Sequence, residues 1–241
     1  MIEVKTDQIS WSRATMEAVC RSRFGETRIF LYPAAKRCLD IICAAVLLAC
    51  LSPLMAVIAL AIWLDSPGPI VFRQTRVGKW GKEFTMLKFR SMFAEADKTT
   101  HAAFAKEYIN GHATPGSSDE KGEPVFKPNG DKRITRVGKW LRRTSLDELP
   151  QLLNVLRGEM SLVGPRPAVP YEVSEYCKWH LQRLAVLPGL TGLAQISGRS
   201  GLTFEKIVRL DLEYIRHRSL FLDVAILIKT VPVVLRARCA A

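Results

Sequence analysis

Residues 38–64 read CLDIICAAVLLACLSPLMAVIALAIWL, and Asp40 is the only charged side chain among these 27 residues. As one straight helix the stretch would cover roughly 40 Å, which exceeds the bilayer core of about 30 Å. It begins too far from Met1, and is too long, to be the apolar region of a signal peptide. The stretch therefore predicts a membrane-embedded helix rather than a secretion signal.

Ser52 and Pro53, in the middle of this stretch, leave two topologies open. Pro53 has no N–H and its ring collides with the carbonyl four residues earlier, so it predicts a kink. The arms on either side are each about 17–20 Å long, and neither spans a bilayer alone. A re-entrant helix that returns to the same face and a Pro-kinked spanning helix both satisfy these residues.

The charge of the chain favours the re-entrant topology. The protein has 241 residues, with 35 Lys and Arg against 23 Asp and Glu, a net charge of +12. Residues 1–37 carry +3 of this charge and the remainder carries the other +9. The positive-inside rule therefore places both flanks of the apolar stretch in the cytoplasm.

Composition also excludes several classes of protein. The hydrophobic fraction of 48% is too high for a disordered chain. Six cysteines in 241 residues are too few for a disulfide scaffold, and without a CxxC pair they predict no zinc or redox motif. Since no nucleic-acid recognition motif accompanies the basic charge, a membrane rather than nucleic acid is the expected acidic partner.

The rest of the chain predicts a mainly helical α+β protein. Residues 70–92 contain two β-branched and aromatic runs around a turn at 78–81, which predicts a β-hairpin. The hexapeptide TRVGKW occurs at 75–80 and 135–140, and we interpret it as the same basic turn used twice or as coincidence. Helical composition recurs at residues 94–110, 172–186, 203–217 and 221–235, the last being an interfacial or core helix.

Asp147 and Glu148 are adjacent carboxylates near a predicted helix start. Ser145 can cap this helix, with Glu148 completing a capping box, or Pro150 can be the first helical residue with both acids in the loop before it. Helix capping alone explains acids at such a position. The functional interpretation is a nucleophile with a partner, or a Mg²⁺ ligand, because carboxylates attack phosphorus and Mg²⁺ takes one or two carboxylates plus substrate phosphates.

Several basic residues surround these acids in the sequence. Exposure to solvent or to anionic lipid is the preferred explanation for Arg143 and Lys79. A guanidinium held between two prolines is a more specific signal, because it suits bidentate binding of a diphosphate. At the start of the apolar stretch, Lys36 and Arg37 predict an ion pair with Asp40 or a polyprenyl-phosphate contact. The other candidates are Lys88 in the hairpin, Arg142 before the acids, Arg166 between two prolines, and Arg199 at the end of a Gly-rich loop.

Together these motifs resemble the small monotopic phosphoglycosyl transferases, also called bacterial sugar transferases. The resemblance covers residues 36–235, nearly the whole chain after the lead. It rests on Lys36-Arg37 before an apolar segment broken at Ser52-Pro53, and on four later motifs: KFRSM at 88–92, TSLDELPQ at 144–151, GEMSLVGPRP at 158–167 and PGLTGLAQ at 188–195.

The resemblance implies a monotopic membrane protein with a re-entrant, Pro-kinked helix, a small hairpin and interfacial helices, on the cytoplasmic face of the bacterial inner membrane. We expect an N-terminal lead at 1–35, the membrane helix at 36–66 and a catalytic domain at 67–241. The implied reaction is Mg²⁺-dependent transfer of a sugar-1-phosphate from a UDP-sugar to undecaprenyl phosphate, releasing UMP. Such a step initiates exopolysaccharide, capsule or glycan assembly.

The resemblance also implies roles for particular residues. Asp147 matches a nucleophile that becomes covalently phosphoglycosylated and contacts Mg²⁺, in a ping-pong mechanism with Glu148 as its partner. Leu193 stands where the family usually has tryptophan. The substrate-binding residues would be Lys88, Arg142, Arg166 and Arg199, the helix break Ser52 and Pro53, and the lipid-headgroup contacts Lys36 and Arg37.

Two alternatives and one question stay open. A non-catalytic, basic, membrane-anchored adaptor would bind anionic lipid without using Asp147 for chemistry. Direct attack of the lipid phosphate on the UDP-sugar would give the same product without a covalent intermediate. The sequence identifies neither the sugar nor the oligomeric state, so a homodimer stays open.

Overall fold

The computed structural model describes residues 12–23, 31–93, 105–109, 133–198 and 201–235. These residues are mostly helical, with one antiparallel hairpin and one short parallel strand pair. The helices are α1 (Arg13–Arg23), α2 (Leu31–Asp65), α3 (Arg136–Thr144), α4 (Gln151–Leu156), α5 (Pro170–Val173), α6 (Lys178–Leu181), α7 (Leu193–Ser197), α8 (Phe204–His217) and α9 (Leu220–Leu235). The strands are β1 (Val71–Val77), β2 (Glu83–Phe89), β3 (Ser161–Val163) and β4 (Gly189–Thr191).

Helix α2 is one continuous helix of 35 residues, long and apolar enough to cross a membrane by length and composition. Pro53 lies inside it, and the Ser52 hydroxyl donates to the Ala49 carbonyl at 2.9 Å. Ser52 and Pro53 therefore do not end the helix, and the predicted break has the form of a proline within a continuous element. The helix begins at Leu31, so the expected boundary between residues 35 and 36 falls inside it.

One face of α2 packs on the rest of the protein, and both ends of the helix are fixed to the same body. Near its start, the Asp40 carboxylate accepts from the Leu162 N–H at 3.0 Å. At its end, the Asp65 carboxylate accepts from the Val137 N–H at 3.1 Å. The opposite face exposes large apolar side chains: Ile41, Ile42, Val46, Leu47, Val57, Leu60, Trp63 and Leu64.

The predicted hairpin is confirmed. β1 and β2 pair antiparallel, with Val71 opposite Phe89 and Val77 opposite Glu83. The turn between them takes Trp80 (φ 57°) and Gly81 (φ 76°) through the left-handed region. Gly81 meets that requirement without strain, since it has no Cβ.

The two copies of TRVGKW adopt different conformations, so their interpretation as one repeated turn is wrong. The first copy ends β1, where Thr75 pairs with Thr85, and enters the turn. The second begins α3, where the Thr135 hydroxyl accepts from the Gly138 N–H at 3.0 Å as an N-cap. The partner available to each threonine decides the outcome, which is a strand in one case and the helix backbone in the other.

Helices α8 and α9 confirm the predictions at 203–217 and 221–235. The single helix expected at 172–186 is wrong: Cys177 is extended (φ −85°, ψ 170°), and it separates α5 from α6. Between residues 94 and 110, residues 105–109 are helical, and the rest of that prediction lies outside the described residues.

Helix α9 is attached to the start of α2 through a buried carboxylate. Asp223 accepts from the hydroxyls of Tyr214 at 2.7 Å and Tyr32 at 3.0 Å, and from the Lys36 ammonium at 3.0 Å. The other side of α9 is apolar and exposed, and its Phe221 is 86% exposed. The two most apolar helices are thus joined by a polar cluster while each keeps a bare apolar face.

Candidate active site

The site is built where α3 ends. Ser145 adopts the left-handed conformation (φ 58°) as the C-cap of α3, and a 3₁₀ turn, Leu146–Glu148, follows it. Pro150 then precedes α4. The predicted capping box on Ser145 is therefore wrong, because Ser145 closes the preceding helix. The alternative, with both acids in the segment before the helix that follows Pro150, agrees with the structure.

Asp147 is buried, with 8% of its surface exposed. Burial raises the pKa of its carboxyl to about 6, and the neighbouring charge of Glu148 adds to the increase. The positive charges of Lys88 and Arg142 oppose it. At neutral pH the carboxylate is therefore mostly ionised but poorly solvated, which is a favourable state for a nucleophile.

Glu148 differs from its neighbour. Its Oε1 accepts from the Lys88 ammonium at 2.8 Å, and both side chains are partly exposed, at 36% and 24%. The ion pair joins the 3₁₀ turn to β2, the strand that carries Lys88. Adjacent carboxylates thus have separate environments, one buried and one paired with a cation at the surface.

Asn154 fixes β2 against α4, and it is fully buried. Its Oδ1 accepts from the Leu87 N–H at 3.0 Å, and its Nδ2 donates to the Thr85 carbonyl at 2.7 Å and to Glu159 Oε2 at 2.6 Å. Leu87, the residue before Lys88, is therefore hydrogen-bonded to α4, the helix that follows Asp147 and Glu148. Sequence reasoning missed Asn154, although a polar residue inside the apolar run LLNVL was the available signal.

Arg142 lies close enough to Asp147 for its charge to lower the pKa of that carboxyl. Its Nε donates to the Ser91 hydroxyl at 3.0 Å, and its charge acts on the carboxyl of Asp147. The structure thus brings four predicted residues together: Lys88, Arg142, Asp147 and Glu148. Their roles as nucleophile, partner and substrate ligands stay predictions.

Arg166 is exposed on its Pro-Arg-Pro turn, and a second arginine, Arg76, is hydrogen-bonded to that turn. The buried Arg76 donates from Nη1 to the Pro167 carbonyl at 2.8 Å. Burial lowers the pKa of Arg76 to about 10, as does the charge of Arg166, while Glu148 is among the charges that raise it. Arg76 therefore holds the turn that carries Arg166. Sequence reasoning did not select it among the basic residues of the hairpin.

The remaining predicted residues lie elsewhere. Arg199 lies outside the described residues. Lys36 pairs with Asp223 at 3.0 Å and lies 4.0 Å from Asp40, and Arg37 donates to the carbonyls of Val155 and Leu156 at 2.6 and 2.9 Å. The expected ion pair with Asp40 is present for Lys36. Both cations have protein partners, and their contact with a lipid headgroup stays a prediction.

The carboxylates can be tested for their fit to magnesium. Within the described ranges, no group of three or more His, Cys, Asp or Glu side chains could hold a metal ion. Asp147 supplies one carboxylate, since Glu148 is paired with Lys88, and one carboxylate is enough for Mg²⁺ when substrate phosphates complete its coordination. The residues therefore fit an ion that is bound together with a phosphorylated substrate.

A buried carboxylate whose pKa is raised, with cations beside it, marks a candidate active site, and here it occurs in a chain with a long apolar helix. Residues 31–237 match the bacterial sugar transferase family. The chain belongs to this family, and the resemblance stated from its motifs is confirmed.

Curated relatives agree with this assignment. The exopolysaccharide production protein ExoY of Rhizobium meliloti is 41% identical over 204 residues, which cover 85% of this chain and 87% of the relative. The undecaprenyl-phosphate galactose phosphotransferase of Salmonella typhimurium is 42% identical over 201 residues, covering 83% of this chain and 40% of the relative. The UDP-glucose:undecaprenyl-phosphate glucose-1-phosphate transferase of Escherichia coli is 43% identical over 205 residues, which cover 81% of this chain and 39% of the relative. The chain thus spans about two fifths of the two larger relatives.

Proposed function

We propose that this protein transfers a sugar-1-phosphate from a UDP-sugar to undecaprenyl phosphate and releases UMP. The main support is one observation: Asp147 is buried, carries a raised pKa, and lies among Lys88, Arg142 and Glu148. The names of the Salmonella and Escherichia relatives, which describe transfer of galactose or glucose phosphate to undecaprenyl phosphate, support the same reaction.

In the first half of the reaction, an oxygen of Asp147 attacks the phosphorus that carries the sugar. The bond from that phosphorus to the bridging oxygen breaks, and UMP leaves with the electron pair. The sugar phosphate is then joined to Asp147 as an acyl phosphate. Because Asp147 is desolvated, its oxygen enters this step without first losing a full hydration shell. Lys88 and Arg142 stabilise the negative charge on the transferring phosphoryl group.

In the second half, a phosphate oxygen of undecaprenyl phosphate attacks the same phosphorus. The bond to Asp147 breaks, which restores the carboxylate and forms the lipid diphosphate sugar. Asp147 would hold a magnesium ion together with the substrate phosphates, and the ion would supply neutralising charge. Glu148 holds Lys88 in place through their 2.8 Å ion pair, so that the cation faces the transferring group.

We further propose that α2 enters and leaves the membrane on the cytoplasmic face. Its two ends contact one body through Asp40 and Asp65, and its outer face is apolar. The acceptor lipid stays in the bilayer, so attachment of the enzyme at that surface brings the two substrates together. Single cysteines at Pro33 and Pro67, in a chain whose native cysteines are replaced, test this topology. An impermeant maleimide should label neither in intact cells and both in inverted vesicles, whereas labelling of one site from outside would establish a spanning helix.

The decisive experiment measures UMP release from a panel of UDP-hexoses and UDP-N-acetylamino sugars, with undecaprenyl phosphate and Mg²⁺. Wild type should release UMP from at least one donor, and Asp147→Asn from none. No release from any donor would exclude the reaction and favour a lipid-binding adaptor.

The covalent intermediate has its own measurement. Wild type incubated with the accepted UDP-sugar, without lipid, should gain the mass of one sugar phosphate on Asp147. Absence of that adduct, together with kinetics that require both substrates at once, would establish direct attack by the lipid phosphate.

A further inference from the structure

An apolar groove runs between the second half of α2 and α3, on the side of the molecule that carries the bare face of α2. Its walls come from Leu54, Val57 and Ile58 of α2 and from Arg136, Val137 and Trp140 of α3. Val57 and Trp140 are 64% and 50% exposed, so the groove is open along its length. Arg136 is its only charged lining residue among the described side chains.

One apolar cluster forms the floor of the groove and also supports the turn that carries Asp147 and Glu148. Ile58 and Ile62 of α2 pack with Leu141 of α3 and Phe89 of β2. Leu146 and Leu149 pack against the same cluster. These two leucines flank Asp147 and Glu148 in the chain. The groove is therefore continuous with the packing that supports the carboxylates.

The charges along α3 are arranged for a ligand that is apolar at one end and anionic at the other. Trp140 lines the groove, and Arg143, three residues further along α3, is exposed on the same face of that helix. Arg142, beside Arg143, acts on the carboxyl of Asp147. A ligand with its tail against Trp140 would thus meet positive charge where α3 approaches the acids.

We propose that this groove binds the isoprenoid chain of the lipid acceptor, with the phosphate of that lipid directed to Arg142 and Asp147. This inference rests on the proposed function, since it assigns the tail of the acceptor used in the second half-reaction. The groove takes the isoprene units nearest the phosphate, and the remaining tail lies in the bilayer. The affinity for the lipid therefore depends on the first few isoprene units, because each buried methylene strengthens binding roughly fourfold.

Filling the groove tests the assignment. Ala61 also lines it, and Ala61→Phe places a ring in the space that the chain would occupy. Ala56→Phe is the matched control, because Ala56 is exposed on the same helix and is not among the lining residues. Both variants are assayed in the same detergent with polyprenyl phosphates of two, four and eleven isoprene units.

Wild type and Ala56→Phe should show an acceptor KM that falls at least tenfold from two to four units. Ala61→Phe should lose this dependence and show a KM for the four-unit acceptor at least tenfold above the control. Its formation of the sugar-phosphate adduct without lipid should match wild type. The same chain-length dependence in both variants would overturn the proposal. Absence of the sugar-phosphate adduct in wild type would instead contradict the proposed function.

A second measurement uses the wild-type chain, so it does not depend on the folding of a variant. A polyprenyl phosphate with a photoreactive diazirine on its second isoprene unit should crosslink to the groove, at Leu54 or Trp140. Excess unlabelled lipid should abolish the crosslink. Adducts confined to the side of α2 that faces away from the groove, at Ala56 or Trp63, would overturn the assignment, as would labelling that the unlabelled lipid does not reduce.

Discussion

Replacing Asp147 with asparagine is expected to abolish activity and, at the same time, to stabilise the protein. Burial disfavours the charged carboxylate, and this is why the pKa of Asp147 is raised. Asparagine has nearly the shape of the protonated acid and never carries the charge. The variant therefore keeps the packing and loses the desolvation cost.

The size of the effect follows from the pKa. A rise from 3.8 to about 6 corresponds to about 3 kcal/mol, since one pKa unit is worth about 1.4 kcal/mol. Between these two values the folded chain binds more protons than the unfolded chain, so wild-type stability falls as the pH rises through this range. The advantage of asparagine is thus complete at pH 8 and falls below about 1 kcal/mol at pH 4.

Thermal unfolding in one detergent, at pH 8 and pH 4, measures the difference. About 3 kcal/mol corresponds to a Tm increase of roughly 6–12 °C at pH 8 for a chain of this size. Glu148→Gln is the control, because Glu148 is partly exposed and paired with Lys88. Its removal should lower stability by less than about 1 kcal/mol. A variant at position 147 no more stable than wild type at pH 8, or a difference unchanged at pH 4, would refute the reasoning.

Four further outcomes are expected. The rate of adduct formation should fall about tenfold per pH unit below about 6, as Asp147 becomes protonated; a flat single-turnover profile from pH 5 to 8 would contradict its role. Lys88→Met should slow adduct formation by about 10²–10³-fold with a Tm decrease no larger than that of Glu148→Gln, and Lys88→Arg should recover part of the rate. Asn154→Leu should lower the free energy of unfolding by about 3 kcal/mol in denaturant titrations, because the buried Leu87 N–H loses its acceptor. Gly138→Ala should cost about 2 kcal/mol, since a Cβ there would overlap the Ser91 carbonyl, whereas Gly201→Ala, with open space around it, should cost much less.

The parts of the fold that the sequence predicts are those with a strong local signal. The apolar run becomes α2, alternating β-branched and aromatic residues give the hairpin, and the periodic segment at 203–217 gives α8. Short motifs identify the acids and their cations as candidates: Asp147 and Glu148 in TSLDELPQ, and Lys88 in KFRSM on the hairpin. In each case the information lies within a few residues of the feature.

The parts that the sequence could not predict depend on distant partners. Ser145 is a residue type typical of an N-cap, yet it is the C-cap of α3, because its left-handed conformation ends that helix. TRVGKW forms a strand or a helix according to what each copy packs against. Lys36 reaches a carboxylate on α9, 187 residues away in the chain, and no spacing in the sequence indicates that pair.

The packing between α2 and the hairpin indicates how a membrane-attached enzyme would fix the height of its site above the bilayer. Arg90 follows the last residue of β2, and its Nη2 donates to the Ser66 carbonyl at 2.5 Å and to the Ser66 hydroxyl at 3.0 Å. Two residues before it, Lys88 pairs with Glu148. The strand that carries Lys88 is thus bound directly to Ser66, the residue that follows α2. Under the membrane attachment proposed above, the depth at which α2 enters the bilayer would therefore set the position of Lys88 and Asp147, and a lipid phosphate in the headgroup layer would reach them without a large movement of the catalytic body.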